Sequence, residues 1–261
     1  MRNLRHTAFA AVAGLTALTS QPAAAERLII SLSNHRVMVT SSFTGVDLVL
    51  FGSMEPDSAT APRRASYDVV VTVTGPRVTE RTRRKERVLG IWVNAESRTF
   101  VNVPSYLAVL SSKPADAIAS PDALRRLQVG LENILFPQRI GPDIADVVRT
   151  DPFRVAFLRL KKEHGLYIEK ENGVTFLTPM LFRADIPLPS NAPFGIYDVD
   201  VKVFAAGAIV AHSTSALEVI KVGFEQFIAD AARDYGLLYG LALAMIALLI
   251  GWFASVVFRR D

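Results

Sequence analysis

The densest group of side chains able to bind a ligand lies between residues 77 and 87. Within these eleven residues stand two anions and six cations, which are Arg77, Arg81, Arg83, Arg84, Lys85 and Arg87. Arginine presents its N–H donors in a planar fork that matches oxyanions, so the group predicts a surface for anionic lipid headgroups or a small anion. The alternative, which the pattern favours, is a solvated hairpin edge whose charges discourage pairing with other strands.

The rest of the sequence carries no catalytic or metal-binding pattern. Gly52-Ser53-Met54 lacks the second glycine of a nucleophile elbow. The histidines beyond the N-terminal segment, His35, His164 and His212, stand singly and without metal-ligand spacing. The glycines do not cluster into a phosphate-binding loop. The sequence therefore predicts a protein that is not an enzyme and that needs no metal and no cofactor.

A long apolar segment near the C-terminus predicts one membrane-spanning helix. No charged residue occurs from Tyr235 to Phe258, a run of 24 residues, which spans roughly 36 Å as a helix. Arg259 and Arg260 follow, and because positive residues stay on the cytoplasmic side, the helix is expected to run from outside to inside. A buried core helix is the alternative, which the segment disfavours because it is apolar on every face.

Small residues recur along this helix at Gly236, Gly240, Ala244 and Gly251. Small side chains let a second helix approach closely, so this side predicts packing on a multi-pass membrane transporter or on another copy of the chain. The alternative is chance, because glycine and alanine are common in membrane helices. The lipid bilayer is the expected partner in either case.

The N-terminus predicts a secretory signal that is removed after Ala25. Arg2 and Arg5 precede eleven apolar residues, and Ala23-Ala24-Ala25 follows, whereas a permanent anchor needs about 20 apolar residues. The alternative is a frayed cytosolic terminus. Without the charges of the two ends, the chain holds 25 basic and 24 acidic residues, so its high pI is no sign of nucleic-acid binding. The chain has no cysteine, which leaves core burial to stabilise an exported domain.

Short runs of β-branched and apolar residues between turn formers predict a mainly β fold with a helical linker, comprising one or two immunoglobulin-like antiparallel β-sandwiches and a single C-terminal transmembrane helix. The predicted division is a signal peptide over 1–25, a first β-rich periplasmic domain over 26–112, a helical linker region over 113–172, a second β-sandwich-like region over 173–222, a juxtamembrane helix over 223–234, a transmembrane helix over 235–258 and a cytoplasmic tail over 259–261.

Individual elements follow from periodicity and capping residues. Helical spacing of leucines after Ser120 predicts a helix over residues 121–134, and Asp151 followed by Pro152 predicts a helix over residues 152–164. The predicted strands are residues 28–32, 36–40, 46–51, 67–74, 88–93, 99–103, 174–177, 180–185, 195–204, 208–216 and 217–222.

Several longer motifs resemble one known family, the alphaproteobacterial putative transmembrane protein family. The motifs are Gly75-Pro76 and the stretches 83–94, 102–106, 130–133, 221–225 and 251–260. The resemblance implies a single-pass membrane protein without an established activity, which serves as an accessory to a sulfite-exporter-like permease. It carries over no catalytic residue.

The sequence thus predicts a single-pass inner-membrane protein with a periplasmic N-terminal domain and a cytoplasmic C-terminus. Its expected role is that of an accessory or interaction protein for a membrane transporter. The alternative role is the binding or sensing of a small anion through the basic segment of residues 77–87. Binding of nucleic acid is not expected.

Overall fold

The computed structural model describes residues 27–55, 66–140, 143–146, 148–223, 228 and 232–257. The predicted signal peptide, the cytoplasmic tail and most of the predicted juxtamembrane helix lie outside these residues. The described part is mainly β, as predicted, and its strands form three sheets. One apolar helix follows the last strand near the C-terminus.

Fourteen strands occur in the described residues. In chain order they are β1 (Arg27–Leu32), β2 (Arg36–Val39), β3 (Gly45–Glu55), β4 (Asp68–Thr74), β5 (Arg77–Val88), β6 (Ile91–Pro104), β7 (Leu107–Ser111), β8 (Pro137–Ile140), β9 (Asp143–Asp146), β10 (Tyr167–Lys170), β11 (Val174–Phe176), β12 (Leu181–Pro189), β13 (Gly195–Ala205) and β14 (Ala208–Lys221).

A four-stranded sheet in the order β1-β3-β12-β11 lies against a six-stranded sheet in the order β10-β7-β4-β13-β14-β2, and a third sheet has the order β5-β6-β8-β9. Neighbouring strands are antiparallel except at the two edges of the six-stranded sheet, where β10 pairs with β7 and β14 pairs with β2 in parallel. Strands from the predicted first and second β-rich regions share both large sheets, since β12 pairs with β3 and β13 pairs with β4.

The six-stranded sheet is buried on both faces at its centre. Val69, Val71 and Val73 of β4 belong to the core between the two large sheets, whereas Val70 belongs to a second core on the opposite face. Every residue of β7 is buried. A strand covered on both faces is a continuous apolar run rather than an alternating one, which is why β7 shows no period-two pattern in the sequence.

Helices cover the second core. They are α1 (Ala115–Ile118), α2 (Pro121–Arg126) and α3 (Pro152–Glu163), with a short 3₁₀ helix at Leu131–Asn133, and α4 (Gly236–Val257) lies apart near the C-terminus. Asp151 caps α3 as predicted, because its carboxylate accepts hydrogen bonds from the N–H groups of Phe153 (2.8 Å) and Arg154 (3.2 Å). Phe153 and Phe157 of α3 are buried in this core.

Several predictions differ from the structure. The strands expected over 208–216 and 217–222 are the single strand β14, and no strand is predicted for most of β5 or for β7, β8, β9 and β10. The helix expected over 121–134 ends at Arg126, because Gln128 and Gly130 have positive φ angles of 51° and 91° that a right-handed helix does not accommodate. The strand expected over 88–93 is interrupted by a turn at Leu89 (φ 50°) and Gly90 (φ 86°), so that Val88 ends β5 and Ile91 begins β6. Two consecutive residues with positive φ are typical of a tight hairpin turn.

Three buried tyrosines hold loops against the sheets. The hydroxyl of Tyr167 donates to the carbonyl of Pro104 (2.7 Å), that of Tyr197 donates to Pro193 (2.6 Å), and that of Tyr106 donates to Pro187. Burial raises the pKa of each hydroxyl well above the ordinary value of 10.0. The neutral phenols are therefore favoured by the folded state.

These tyrosines predict a stability that falls in alkali. The raised pKa values in the folded protein mean that only the unfolded chain loses the protons when the pH first exceeds 10.0. The free energy of unfolding should be unaffected by these groups below that pH, and should fall above it by up to about 1.4 kcal/mol per pH unit for each tyrosine. Urea unfolding of the full chain in detergent at a series of pH values measures it.

The Tyr167→Phe variant is the matched control for that pH dependence. It removes one titrating hydroxyl while keeping the ring, so its stability should fall with a slope that is about one third shallower. A slope equal to that of the parent chain would contradict the assignment of Tyr167.

Candidate functional site

The basic segment of residues 77–87 forms strand β5, which pairs with β6 over most of its length. From Arg83 to Ser97 every residue is exposed, and β6 pairs with the next strand of its sheet only at Phe100 and Gln138. We call residues 83–97 the arm. It is a two-stranded hairpin that extends beyond the two cores.

The base of the arm is fixed to helix α3. The ammonium of Lys161 donates to a carboxylate oxygen of Glu80 at 2.6 Å, although Lys161 itself is only 7% exposed. Its ammonium also lies 5.5 Å from the ring centre of Phe157 and 5.8 Å from that of Tyr167. A cation held by a carboxylate and two aromatic rings tolerates burial. Thr82, the next residue on the same side of β5, is buried as well.

The strand pairing places basic residues on one face of β5 with no acid opposite them. Arg81 pairs with Thr99, Arg83 with Ser97, Lys85 with Asn94 and Arg87 with Trp92. Side chains of paired residues lie on the same side of a hairpin, and those of successive residues alternate between its sides. We call the side that carries Arg81, Arg83, Lys85, Arg87 and Trp92 the basic face.

Both acids of the arm lie on the opposite side. Arg84 contacts Glu86 at 2.7 Å and Glu96 at 3.3 Å, so its charge is neutralised there. Within the part of the chain that the structure describes, Arg83 and Lys85 have no carboxylate partner. Alternation along β5 thus separates charges that are mixed in the sequence, and the basic face remains positive.

The end of the arm is an exposed apolar surface, which we call the tip. It consists of Val88, Leu89, Ile91 and Trp92, of which Leu89 is 97% exposed, Ile91 69% and Trp92 66%. The tip does not follow from sequence periodicity, which predicts a strand over residues 88–93. The signal that could have found it is Gly90 between the apolar residues Val88-Leu89 and Ile91-Trp92-Val93, directly after the charged Arg87.

A cavity of about 370 Å³ separates the arm from helix α3. Its lining combines the apolar residues Phe153 and Leu160 with the cations Arg83, Arg84, Lys85 and Arg159. Arg159 is partly neutralised by Glu163, whose carboxylate lies 3.7 Å away. Acids compensate Arg84 and Arg159, whereas Arg83 and Lys85 belong to the basic face, so the cavity adjoins that face.

Arg77 stands apart from the other five basic residues. Its guanidinium donates to the carbonyl of Asn102 at 3.0 Å, and it lines a different cavity of about 250 Å³ together with Asp200 and Lys202. Asp200 also contacts His212 at 2.6 Å between nitrogen and oxygen. The sequence analysis treated His212 as isolated, although the pairing of β13 with β14 places it opposite Lys202.

The predicted helix-packing residues are open in the structure. A Cβ atom added to Gly236, Gly240 or Gly251 would have no neighbour within 4 Å, and Ala244 is exposed on the same helix. The segment Gly236–Ser255 has a mean hydropathy of 2.3, and none of it is buried by the described chain. Among the described residues, no group of three His, Asp or Glu side chains could hold a metal ion.

Helix α4 is long and apolar enough to cross a membrane, and the described domain before it is mainly β. These two features define the class of membrane-associated proteins with one candidate membrane helix and a β-rich domain. The model of the family described as "Putative transmembrane protein (Alph_Pro_TM)" matches residues 27–260, and the chain belongs to this family. The resemblance found in the sequence motifs is thereby confirmed. The comparison with curated proteins finds no match.

The contact between Lys161 and Glu80 predicts a measurable loss of stability when one partner is removed. Replacing Lys161 with Met leaves the half-buried carboxylate of Glu80 unpaired. Breaking a fully buried pair costs about 3–5 kcal/mol, and since Glu80 is partly hydrated we expect about 2 kcal/mol. Urea unfolding of the full chain in detergent measures the change in the free energy of unfolding.

The double variant Lys161→Met with Glu80→Gln is the control for this pair. It removes both charges, so it should be more stable than the Lys161→Met variant alone. If the losses of stability in the two single variants add up to the loss in the double variant, the contact contributes no specific stabilisation.

Proposed function

We propose that this protein is a single-pass protein of the inner membrane that acts as a binding protein and not as an enzyme, and that its basic face binds anionic groups. The observation that carries the proposal is the basic face itself, where four cations, three of them on the arm, stand with no acid paired opposite them. Arginine forks bind phosphate and sulfate oxygens in pairs, and lysine adds a point charge.

Helix α4 supports the membrane part of the proposal. Its 22 residues span roughly 33 Å, close to the thickness of about 30 Å of a bilayer core. Arg259 and Arg260 follow it in the sequence, which favours a cytoplasmic C-terminus. The β-rich domain then lies in the periplasm, in agreement with the expected signal peptide.

The structure of the arm supports binding through charge. A single exposed ion pair contributes little binding energy. Several unneutralised cations on one surface, however, raise the local concentration of anions. The contact of Lys161 with Glu80 fixes the base of the arm, so the cations are displayed on a supported strand.

Removal of three cations from the basic face should weaken binding to phosphate groups. We expect the full chain in neutral detergent to be retained on phosphocellulose and the variant Arg83→Gln, Lys85→Gln, Arg87→Gln to elute at lower NaCl concentration. Each cation near an anionic surface is worth about 1 kcal/mol, so the three together account for about 3 kcal/mol. The NaCl concentration at elution measures the difference.

A variant with the same loss of charge elsewhere separates the basic face from net charge. Arg125, Arg126 and Lys170 are exposed residues of the folded body, and their replacement with Gln should leave retention nearly unchanged. Equal elution of the two triple variants would contradict a binding role for the basic face.

A second candidate function is that of an accessory to a multi-pass transporter, of the sulfite-exporter-like kind that the resemblance implies. The favouring feature is the recurrence of small residues along helix α4 at Gly236, Gly240, Ala244 and Gly251. Close packing of a second helix on this side needs small residues. Another copy of the chain is the alternative occupant.

The Gly240→Ile variant tests the second candidate. We expect a multi-pass integral protein to co-purify with the parent chain from native membranes in mild detergent, and the added side chain should abolish that association by preventing close helix contact. Leu241→Ile is the matched control on the same helix. The accessory function is contradicted if no integral protein co-purifies, if only further copies of the chain do, or if Gly240→Ile has no effect.

A further inference from the structure

We propose that the tip of the arm docks on the anionic surface of the same bilayer that holds helix α4, with Leu89, Ile91 and Trp92 entering the headgroup region. This inference rests on the proposed function, since it names lipid phosphates as the anions that the basic face binds. It adds an apolar contact that binding of a soluble anion does not need.

The tip has the chemistry of a membrane–water interface. Leu89, Ile91 and Trp92 are each more than 60% exposed, and they lie together at one end of a hairpin whose turn is formed by Leu89 and Gly90. Neighbouring exposed apolar residues at a protruding end mark an interaction surface. Tryptophan favours the headgroup level of a bilayer, because its ring is apolar and its indole N–H remains hydrated.

The distances from the tip to the basic residues match the depth at which lipid phosphates lie when the tip is in the headgroup region. Arg87 lies two residues before Leu89, which is roughly 7 Å along a strand, and Lys85 lies roughly 13 Å away. The headgroup region on each side of a bilayer is about 5–8 Å deep. With the tip at the boundary of the hydrocarbon core, Arg87 reaches the phosphates. Lys85 remains within about one Debye length of the phosphates, whereas Arg83 is attracted appreciably only at low salt, where the Debye length is longer.

The register of the hairpin joins the two chemistries in one place. Arg87 is directly opposite Trp92 on the basic face, so the cation nearest the lipid stands beside the aromatic ring of the tip. On the other side, Val88 is opposite Ile91, and the charge of Arg84 is already neutralised by Glu86 and Glu96. No unpaired acid of the arm therefore faces the anionic surface together with the basic face.

Helix α4 holds the β-rich domain close to a bilayer, which makes the bilayer surface the expected partner of the tip. Strand β14 ends at Lys221 and helix α4 begins at Gly236, so the intervening residues span at most about 50 Å when fully extended. A domain tethered within that distance of a bilayer meets its surface at a high effective concentration. The charge complementarity of the basic face with anionic lipids then favours this surface over other occupants.

The chain offers an internal reporter of docking. It contains two tryptophans, Trp92 in the tip and Trp252 in helix α4, so the variant Trp252→Phe emits from Trp92 alone. The full-length variant is placed in nanodiscs of phosphatidylcholine, with or without an equal part of phosphatidylglycerol, each with lipid carrying a nitroxide high in the acyl chain. We expect the emission of Trp92 to shift to shorter wavelength and to be quenched in the anionic nanodiscs.

Two further variants, made in the Trp252→Phe chain, separate the contribution of the charges from that of the apolar residues. Replacing Arg83, Lys85 and Arg87 with Gln should lower the docking equilibrium constant roughly fivefold for each charge, and added NaCl should have the same effect on the parent. Replacing Leu89 and Ile91 with Ser should remove the quenching by acyl-chain nitroxide. The Gln variant of Arg125, Arg126 and Lys170 is the control, and it should behave as the parent.

Emission from Trp92 that is unquenched and typical of water in anionic nanodiscs would overturn the docking. A shift that occurs without quenching and grows with the number of chains per disc would assign the tip to a second copy, and would overturn it too. Retention on phosphocellulose distinguishes the two proposals: retention through the basic face without quenching leaves the proposed function standing, whereas loss of both removes both.

Discussion

Burial of the six-stranded sheet on both faces is the constraint on which the rest of the structure depends. Val69, Val71 and Val73 need cover on one side, whereas Val70 and all of β7 need it on the other. The four-stranded sheet supplies the first cover and the helices supply the second. Since apolar burial is the main favourable term in folding, both layers are required before the central strands are stable.

The arm exists because β5 and β6 continue beyond these two cores. At the base of the arm, the buried ammonium of Lys161 contacts a carboxylate of Glu80 and two aromatic rings in place of water. These contacts couple the hairpin to α3. Past that point no core remains to bury either face. An isolated two-stranded hairpin is only marginally stable in water. The fixed base is therefore what allows the exposed arm to keep a defined register.

Much of the strand pattern could be predicted, and the failures have identifiable causes. Alternation located β13 and capping residues located α3, because both signals are local. The contact of His212 with Asp200 was missed, since it needs the pairing of β13 with β14, and a bulge at Val203 shifts that register. Leucine spacing predicted too long a helix after Ser120, because spacing does not show that Gln128 and Gly130 take the positive φ angles that end it.

The sequence by itself determined the apolar segment at the C-terminus, the β-rich character and the presence of many cations in residues 77–87, because each is a property of composition or of short-range periodicity. Only the tertiary structure decided that Arg81, Arg83, Lys85 and Arg87 share one face while both acids lie on the other, and that apolar residues form the tip beyond them. The physical reason is that strand register and the depth of the core are set by contacts between residues far apart in the chain. Composition and short-range periodicity do not reveal those contacts.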